Sequence, residues 1–272
     1  MRNCAAVAAA SLFAALLLAA ERAAAADAPF APPPADAVPP GQIGDAIRYG
    51  EKVATQTDAT VKANVGAALA CTSCHIKGAR TPNASPWVGL WGVYPAYDAR
   101  SGRVITLADR INECFRRSMN GKPLPLDSVA MRGLLSFIWW LSKDVPTGEA
   151  VAGRGFVEIH ASSAADPGRG KAVYAQKCAA CHGAAGQGVM GPGGQVVFPA
   201  LWGPQSFNIG AGMARLDPAA AFVKAKMPLG GVPISDQESY DVAAYFTRQP
   251  RPDFKAKKGD WPNGGRPADA RY

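Results

Sequence analysis

Two short segments, Cys71-Thr72-Ser73-Cys74-His75 and Cys178-Ala179-Ala180-Cys181-His182, constrain this chain more than any other feature. Each is a complete Cys-x-x-Cys-His, the attachment signature of c-type haem. The two thiols add across the haem vinyl groups, and the imidazole that follows becomes the proximal iron ligand. A zinc site of four cysteines would need no His after either pair. The motifs therefore predict two covalently attached haem c groups, held by Cys71, Cys74, Cys178 and Cys181, with His75 and His182 as proximal ligands. A domain of about 100 residues has a thin core alone, and a covalently held haem supplies much of the missing apolar interior.

The compartment agrees with this chemistry. Arg2, an Ala/Leu-rich run from Ala5 to Ala20 and small residues up to Asp27 read as a secretory signal peptide over residues 1–26, cleaved near Ala26. The apolar run is short of the roughly 20 residues of a membrane-spanning helix, and Glu21-Arg22 ends it. No later stretch is apolar enough to span, so the expected location is the periplasm, with no membrane anchor in the mature chain. Removing Arg2, Glu21 and Arg22 takes the net charge from +8 to +7. A basic exported protein suits an anionic substrate or an acidic redox partner, and also plain solubility. No basic patch interleaved with aromatics points to nucleic acid. Of the six cysteines, Cys4 leaves with the signal and four hold haem. Cys114 is left over, a single thiol in an oxidising compartment.

After a Pro-rich leader (27–40), the chain reads as one plan used twice. Cys71 and Cys178, like His75 and His182, are 107 residues apart. Leu90-Trp91-Gly92 recurs as Leu201-Trp202-Gly203 at 111, and Met119/Met227, Pro125/Pro233 and Phe137/Tyr245 recur at 108. Near-constant offsets indicate a duplicated domain, not a short-period solenoid. Helices are predicted before each haem motif (44–55, 167–177), in the middle of each repeat (107–119, 218–226) and at its end (128–142, 236–247). The fold class is mainly α, two tandem class I cytochrome c domains over 41–146 and 166–250. A Gly/Ala/Ser-rich linker spans 147–165, and an irregular tail follows from 251 to 272.

The sixth iron ligands decide the chemistry. Only three His are present, so a bis-His haem would need His160, which lies in the linker without a repeat counterpart. In the second repeat, Lys226-Met227-Pro228 puts Met227 where a cytochrome c distal Met lies, with Met190 and Met213 as competitors. Lys226 binds iron only after losing its proton, which leaves a Lys/Met exchange open. In the first repeat, Met119 stands at the Met227 position, and Cys114 lies five residues earlier, about 1.4 helical turns. A thiolate ligand lowers the potential and would account for the odd thiol, but spacing alone leaves Cys114 and Met119 level.

The run Arg110-Ile111-Asn112-Glu113-Cys114-Phe115-Arg116-Arg117-Ser118-Met119-Asn120-Gly121, with Tyr94-Pro95-Ala96-Tyr97-Asp98-Ala99-Arg100 before it, resembles the dihaem thiosulfate dehydrogenases (tetrathionate synthases). The likeness extends over nearly all of residues 41–250, and more distantly to sulfur-oxidation cytochromes that conjugate thiosulfate to a carrier. It implies Cys114 as distal ligand of a catalytic first haem, and Lys226 and/or Met227 opposite the second. The implied activity joins two thiosulfates as tetrathionate, with the direction left open. Electrons would pass through the second haem to a soluble acceptor such as a small cytochrome c or an iron–sulfur protein. Two dianions need cationic donors. Of Arg100, Arg110, Arg116, Arg117 and Lys122, helical spacing cannot bring all to one face. Arg100, by resemblance, and Arg117, three residues after Cys114, are the expected anion-binding pair, with Ser118 as a hydroxyl donor. The competing readings are a thiosulfate-conjugating subunit and a non-catalytic dihaem carrier, the latter marked by Met119 on the iron and Cys114 idle.

Overall fold

The computed structural model describes residues 27–272, and the expected signal peptide lies outside them. The first repeat contains α1 (Gly41–Thr55), a hairpin of β1 (Ala96–Asp98) and β2 (Arg103–Ile105), α2 (Leu107–Arg117) and α3 (Val129–Leu141). The second contains α4 (Pro167–Lys177), a hairpin of β3 (Val189–Met190) and β4 (Val196–Phe198), α5 (Leu216–Lys226) and α6 (Asp236–Arg248). Local chemistry sets most of the helix starts. Thr106 and Asp109 form a reciprocal capping box at α2, and Ser235 and Glu238 do the same at α6. Ser128 caps α3, and Asp166 caps α4 ahead of Pro167.

In each repeat the first and last helices cross at a glycine. A Cβ on Gly50 would stand 1.9 Å from the Gly133 carbonyl oxygen, and one on Gly170 would stand 1.9 Å from that of Asp241. Backbones this close need the glycine, because any side chain would drive the helices apart. Helix α2 ends two residues short of the predicted boundary. Beyond Arg117 the chain reverses through Asn120 in the left-handed region (φ 47°), with the Met119 and Gly121 amides bonded to the carbonyls of Cys114 and Phe115.

The repeats are not separate beads. The core around Ile47, Leu134, Phe137 and Trp140 also takes in Phe207, Ala211 and Ala214 of the second repeat. Asn208 donates to the Arg116 carbonyl and to Asn120 Oδ1. The linker is docked as well. Gly153 and Gly155 carbonyls accept from the Asn83 and Ser85 amides, and Phe156 and Ile159 pack into the second core. The tail has one 3-10 turn, Lys257–Gly259, yet it folds back across the first repeat and buries Phe254. Among the described residues no helix is long and apolar enough to cross a membrane.

Candidate functional site

Both haem motifs show the features that attachment needs. All four motif thiols are free. His75 Nδ1 is 2.6 Å from the Ser85 carbonyl oxygen, and His182 Nδ1 is 2.9 Å from that of Pro199. In both, Nδ1–H donates to the carbonyl, which leaves Nε2 as the available ligand atom. Burial pushes His75 down to about 4 and lowers His182 too, keeping the imidazoles neutral. Thr57 ties the first motif to α1, accepting from the Cys71 amide at 3.0 Å and lying 3.4 Å from its sulfur. Ser85 is in turn held by the linker carbonyl of Gly155.

Beside the second motif lies a cavity of about 960 Å³, lined by Cys178, Cys181, His182, Phe198, Val223 and Met227. This apolar, imidazole-bearing slot fits a haem. Its wall also includes Leu69, Ser73 and Cys74 of the first repeat, so the two attachment sites are neighbours. Met227 ends α5 facing this space. Lys226 instead lines an adjoining cleft with Ile76, Lys77 and Thr81. Met213 lines the large cavity, whereas Met190 sits half exposed on β3. The His160 side chain, 80% exposed, lies on the surface near Glu158.

In the first repeat, α2 sets the geometry. Its inner side is pinned by Phe115 and by Asn112, which donates to the Leu124 carbonyl at 3.0 Å and accepts from the Leu124 amide at 2.8 Å. Cys114 then faces the first motif. Burial is the main reason that the Cys71 and Cys74 thiols are pushed up, to about 11 and about 12, and the nearby Cys114 sulfur adds to both. Met119 is 5% exposed and packed in the first core.

Arg110 is the residue that sequence reasoning passed over. Its Nη1 donates to Cys114 Sγ at 3.1 Å, one helical turn away, placing a fixed positive charge against the sulfur. That sulfur first, with Tyr94 and Asp98 nearby, holds Arg110 above its ordinary pKa. Arg110 and Arg117 lie on either side of Cys114 in sequence, at equally plausible helical offsets.

Arg117 turns toward the second repeat, and its guanidinium is fully engaged. Nε donates to Glu113 at 2.6 Å, and Nη1 and Nη2 donate to the two oxygens of Asp260, each at 2.8 Å. Arg100 donates through Nε to Asp260 at 2.7 Å and through Nη2 to Tyr272 at 2.7 Å. Its Nη1 has no partner among the described residues. Ser118 is half-buried at the end of α2.

Comparison with known proteins agrees with this architecture. Residues 59–147 match the SoxA/TsdA cytochrome c domain family, and residues 168–248 match the cytochrome c family. The chain is 45% identical over 240 residues to a thiosulfate dehydrogenase of Psychrobacter arcticus, covering 88% of this chain and 73% of that one. It is 44% identical over 233 residues to one of Allochromatium vinosum, covering 84% and 86%. A solved thiosulfate dehydrogenase (TsdBA) from Marichromatium purpuratum superposes with a TM-score of 0.77 at 41% identity, covering 79% of this chain. The match takes in 48% of that TsdBA chain, about half its length.

Proposed function

The chain belongs to the thiosulfate dehydrogenases, with two cytochrome c domains and two covalently bound c-type haems, and on that premise we propose that Cys114 and Arg110 form the centre where thiosulfate reacts. The carrying observation is the 3.1 Å contact between Arg110 and Cys114, the one thiol outside the haem motifs among the described residues, on a helix face turned to the first motif. His75 and Cys114 would hold the first haem iron, and His182 and Met227 the second, with Lys226 as the exchangeable alternative. When bound, the haems supply one-electron acceptance at two neighbouring centres.

The reaction joins two thiosulfate dianions through their sulfane sulfurs, giving tetrathionate and two electrons. Holding two dianions about 5 Å apart costs on the order of 13 kcal/mol at an effective dielectric of about 20. Fixed cations must offset that repulsion. Arg110 does so at the reacting sulfur, and Arg100 keeps one guanidinium nitrogen for a sulfonate oxygen. Arg117, committed to Glu113 and Asp260, serves as an anchor, and Arg110 takes the anion-facing role first given to it. The Cys114 thiolate bonds to the sulfane sulfur of the first thiosulfate with loss of two electrons, the sulfane sulfur of the second then displaces that thiolate to release tetrathionate, and the Ser118 hydroxyl donates to the bound anion.

The second haem, held by His182 and Met227, would supply the exit for electrons, and the fitting acceptor is a small soluble redox protein, a cytochrome c or an iron–sulfur carrier. The signal-like residues 1–26 direct the chain to the periplasm. The test is thiosulfate-dependent reduction of an artificial acceptor by purified holoprotein, with tetrathionate measured as product. Cys114→Gly is expected to abolish turnover and to change the low-spin spectrum of one haem while both haems stay attached. Wild-type turnover by that variant overturns the assignment.

A further inference from the structure

We propose that Asp260, in the C-terminal segment of the second repeat, is a positioning residue for the reaction centre of the first, its carboxylate fixing Arg100 and the Cys114-bearing helix α2 in one geometry. This rests on the reading of Cys114 and Arg100 given above.

After α6 the chain runs back over the first repeat, anchored where the Gly203 and Ile209 amides donate to the Pro250 and Pro252 carbonyls. Phe254 lies under the Arg117 guanidinium at 4.2 Å, and Trp261 lies under that of Arg100 at 4.8 Å. The Trp261 amide donates to the Arg100 carbonyl at 2.7 Å. Between the two rings sits Asp260, its side chain 5% exposed. Oδ2 accepts from Arg100 Nε at 2.7 Å, Arg117 Nη1 at 2.8 Å and the Tyr272 hydroxyl at 2.5 Å, and Oδ1 accepts from Arg117 Nη2 at 2.8 Å.

One carboxylate thus joins the β1–β2 turn, the end of α2 and the chain terminus. With Glu113 on Arg117, the two guanidiniums face two carboxylates. Arg116 also donates to Glu113, at 3.0 Å, so three guanidiniums share two carboxylates, and Arg100 Nη1 is left for the substrate anion. The cluster's position explains its use. Arg117 is three residues from Cys114, and Arg100 is two residues from Asp98, which stands beside Arg110. Tilting α2 or swinging Arg100 would spread the groups that must meet two dianions, and small displacements of that kind are costly in a preorganised site.

The test uses Asp260→Asn holoprotein, which keeps the side-chain shape and removes the charge. Tyr272→Phe is the milder second variant, deleting one donor from the same carboxylate, and Arg100→Gln is run alongside. Steady-state thiosulfate kinetics, the electron paramagnetic resonance signal of the first haem and thermal midpoints are measured. Asp260→Asn is expected to keep both haems and to raise KM about tenfold, as for one weakened charge-assisted hydrogen bond. It should split the first-haem signal into more than one species, with Tyr272→Phe shifted less in the same direction. If Arg100→Gln raises KM while the Asp260 and Tyr272 variants keep wild-type KM and spectrum, Asp260 is a staple only and the positioning role is overturned, even with a lower thermal midpoint. If Arg100→Gln itself leaves KM unchanged, the reading of Arg100 falls, and with it Asp260's hold on substrate.

Discussion

Replacing Arg110 with Gln isolates the contribution of the charge at the candidate catalytic sulfur. The fold does not depend on this side chain. Arg110 is exposed, and α2 is set by the Thr106/Asp109 capping box and the Asn112–Leu124 pair. Exposed substitutions of this kind change stability by about 0.5 kcal/mol or less. The lost interaction is a charge-assisted contact of 3.1 Å to Cys114 Sγ. Hydrogen bonds to charged groups contribute roughly 1.5–3 kcal/mol, which corresponds to a fall of about 10- to 150-fold in kcat/KM. Arg110→Lys keeps the charge without the planar fork and should fall between wild type and Gln. Because part of the effect is long-range attraction of a dianion, the wild-type KM should rise with ionic strength more steeply than that of the variant. The assay is acceptor reduction over a range of thiosulfate and salt, with haem content checked by absorbance. A kcat/KM for Arg110→Gln within about twofold of wild type at low salt refutes the role.

Two further outcomes are expected. Met227→Gly should lose the near-infrared methionine–haem band and lower the potential of the second haem, since a thioether favours reduced iron. A persisting band would move the ligand to Met213, which lines the same cavity. Asp241→Asn probes the helix crossing of the second repeat. Burial raises the Asp241 carboxyl, but Arg169, the Asp166 amide and Gln237 outweigh it and hold it below the usual carboxylate range. A depressed folded-state pKa contributes stability above the unfolded value and loses it as pH falls. The variant should therefore be less stable by roughly 1–3 kcal/mol at pH 7, and the thermal midpoints should converge below about pH 4. A gap independent of pH would show that shape, not charge, matters at Asp241.

What the sequence disclosed was local. The haem motifs, the repeat offsets and the capped helices all depend on residues a few positions apart, so pattern and spacing recover them. The docking of the linker and tail does not. Phe254, Asp260 and Tyr272 follow no period, and their partners Arg100 and Arg117 lie over 100 residues away in the chain. The different surroundings of Arg117 and Arg110 show the same limit. Offsets of +3 and −4 from Cys114 are equivalent on an isolated helix. Only the second repeat and the tail, by covering the Arg117 side with Asn208 and Asp260, make them different.

The two repeats keep one backbone plan but present different residues at the end of the middle helix. In each, the middle helix ends near a methionine, Met119 in the first and Met227 in the second. Met227 stays in line with its helix end and faces a haem-sized cavity. Met119 lies within the chain reversal that follows α2 and is packed in the core, while Cys114, inside the helix, is presented to the haem motif. On the proposed assignment, the early stop of α2 is the step that would let a thiol take the place of a thioether. On the proposed assignment the first centre would pass its electrons to the second, which favours two sites that stay close. Cys74 forms part of the wall of the second cavity, and Phe207 and Ala211 form part of the first core, so neither domain can move away without opening the other's interior. On the proposed mechanism, these shared walls would keep the centre that releases two electrons beside the second haem site.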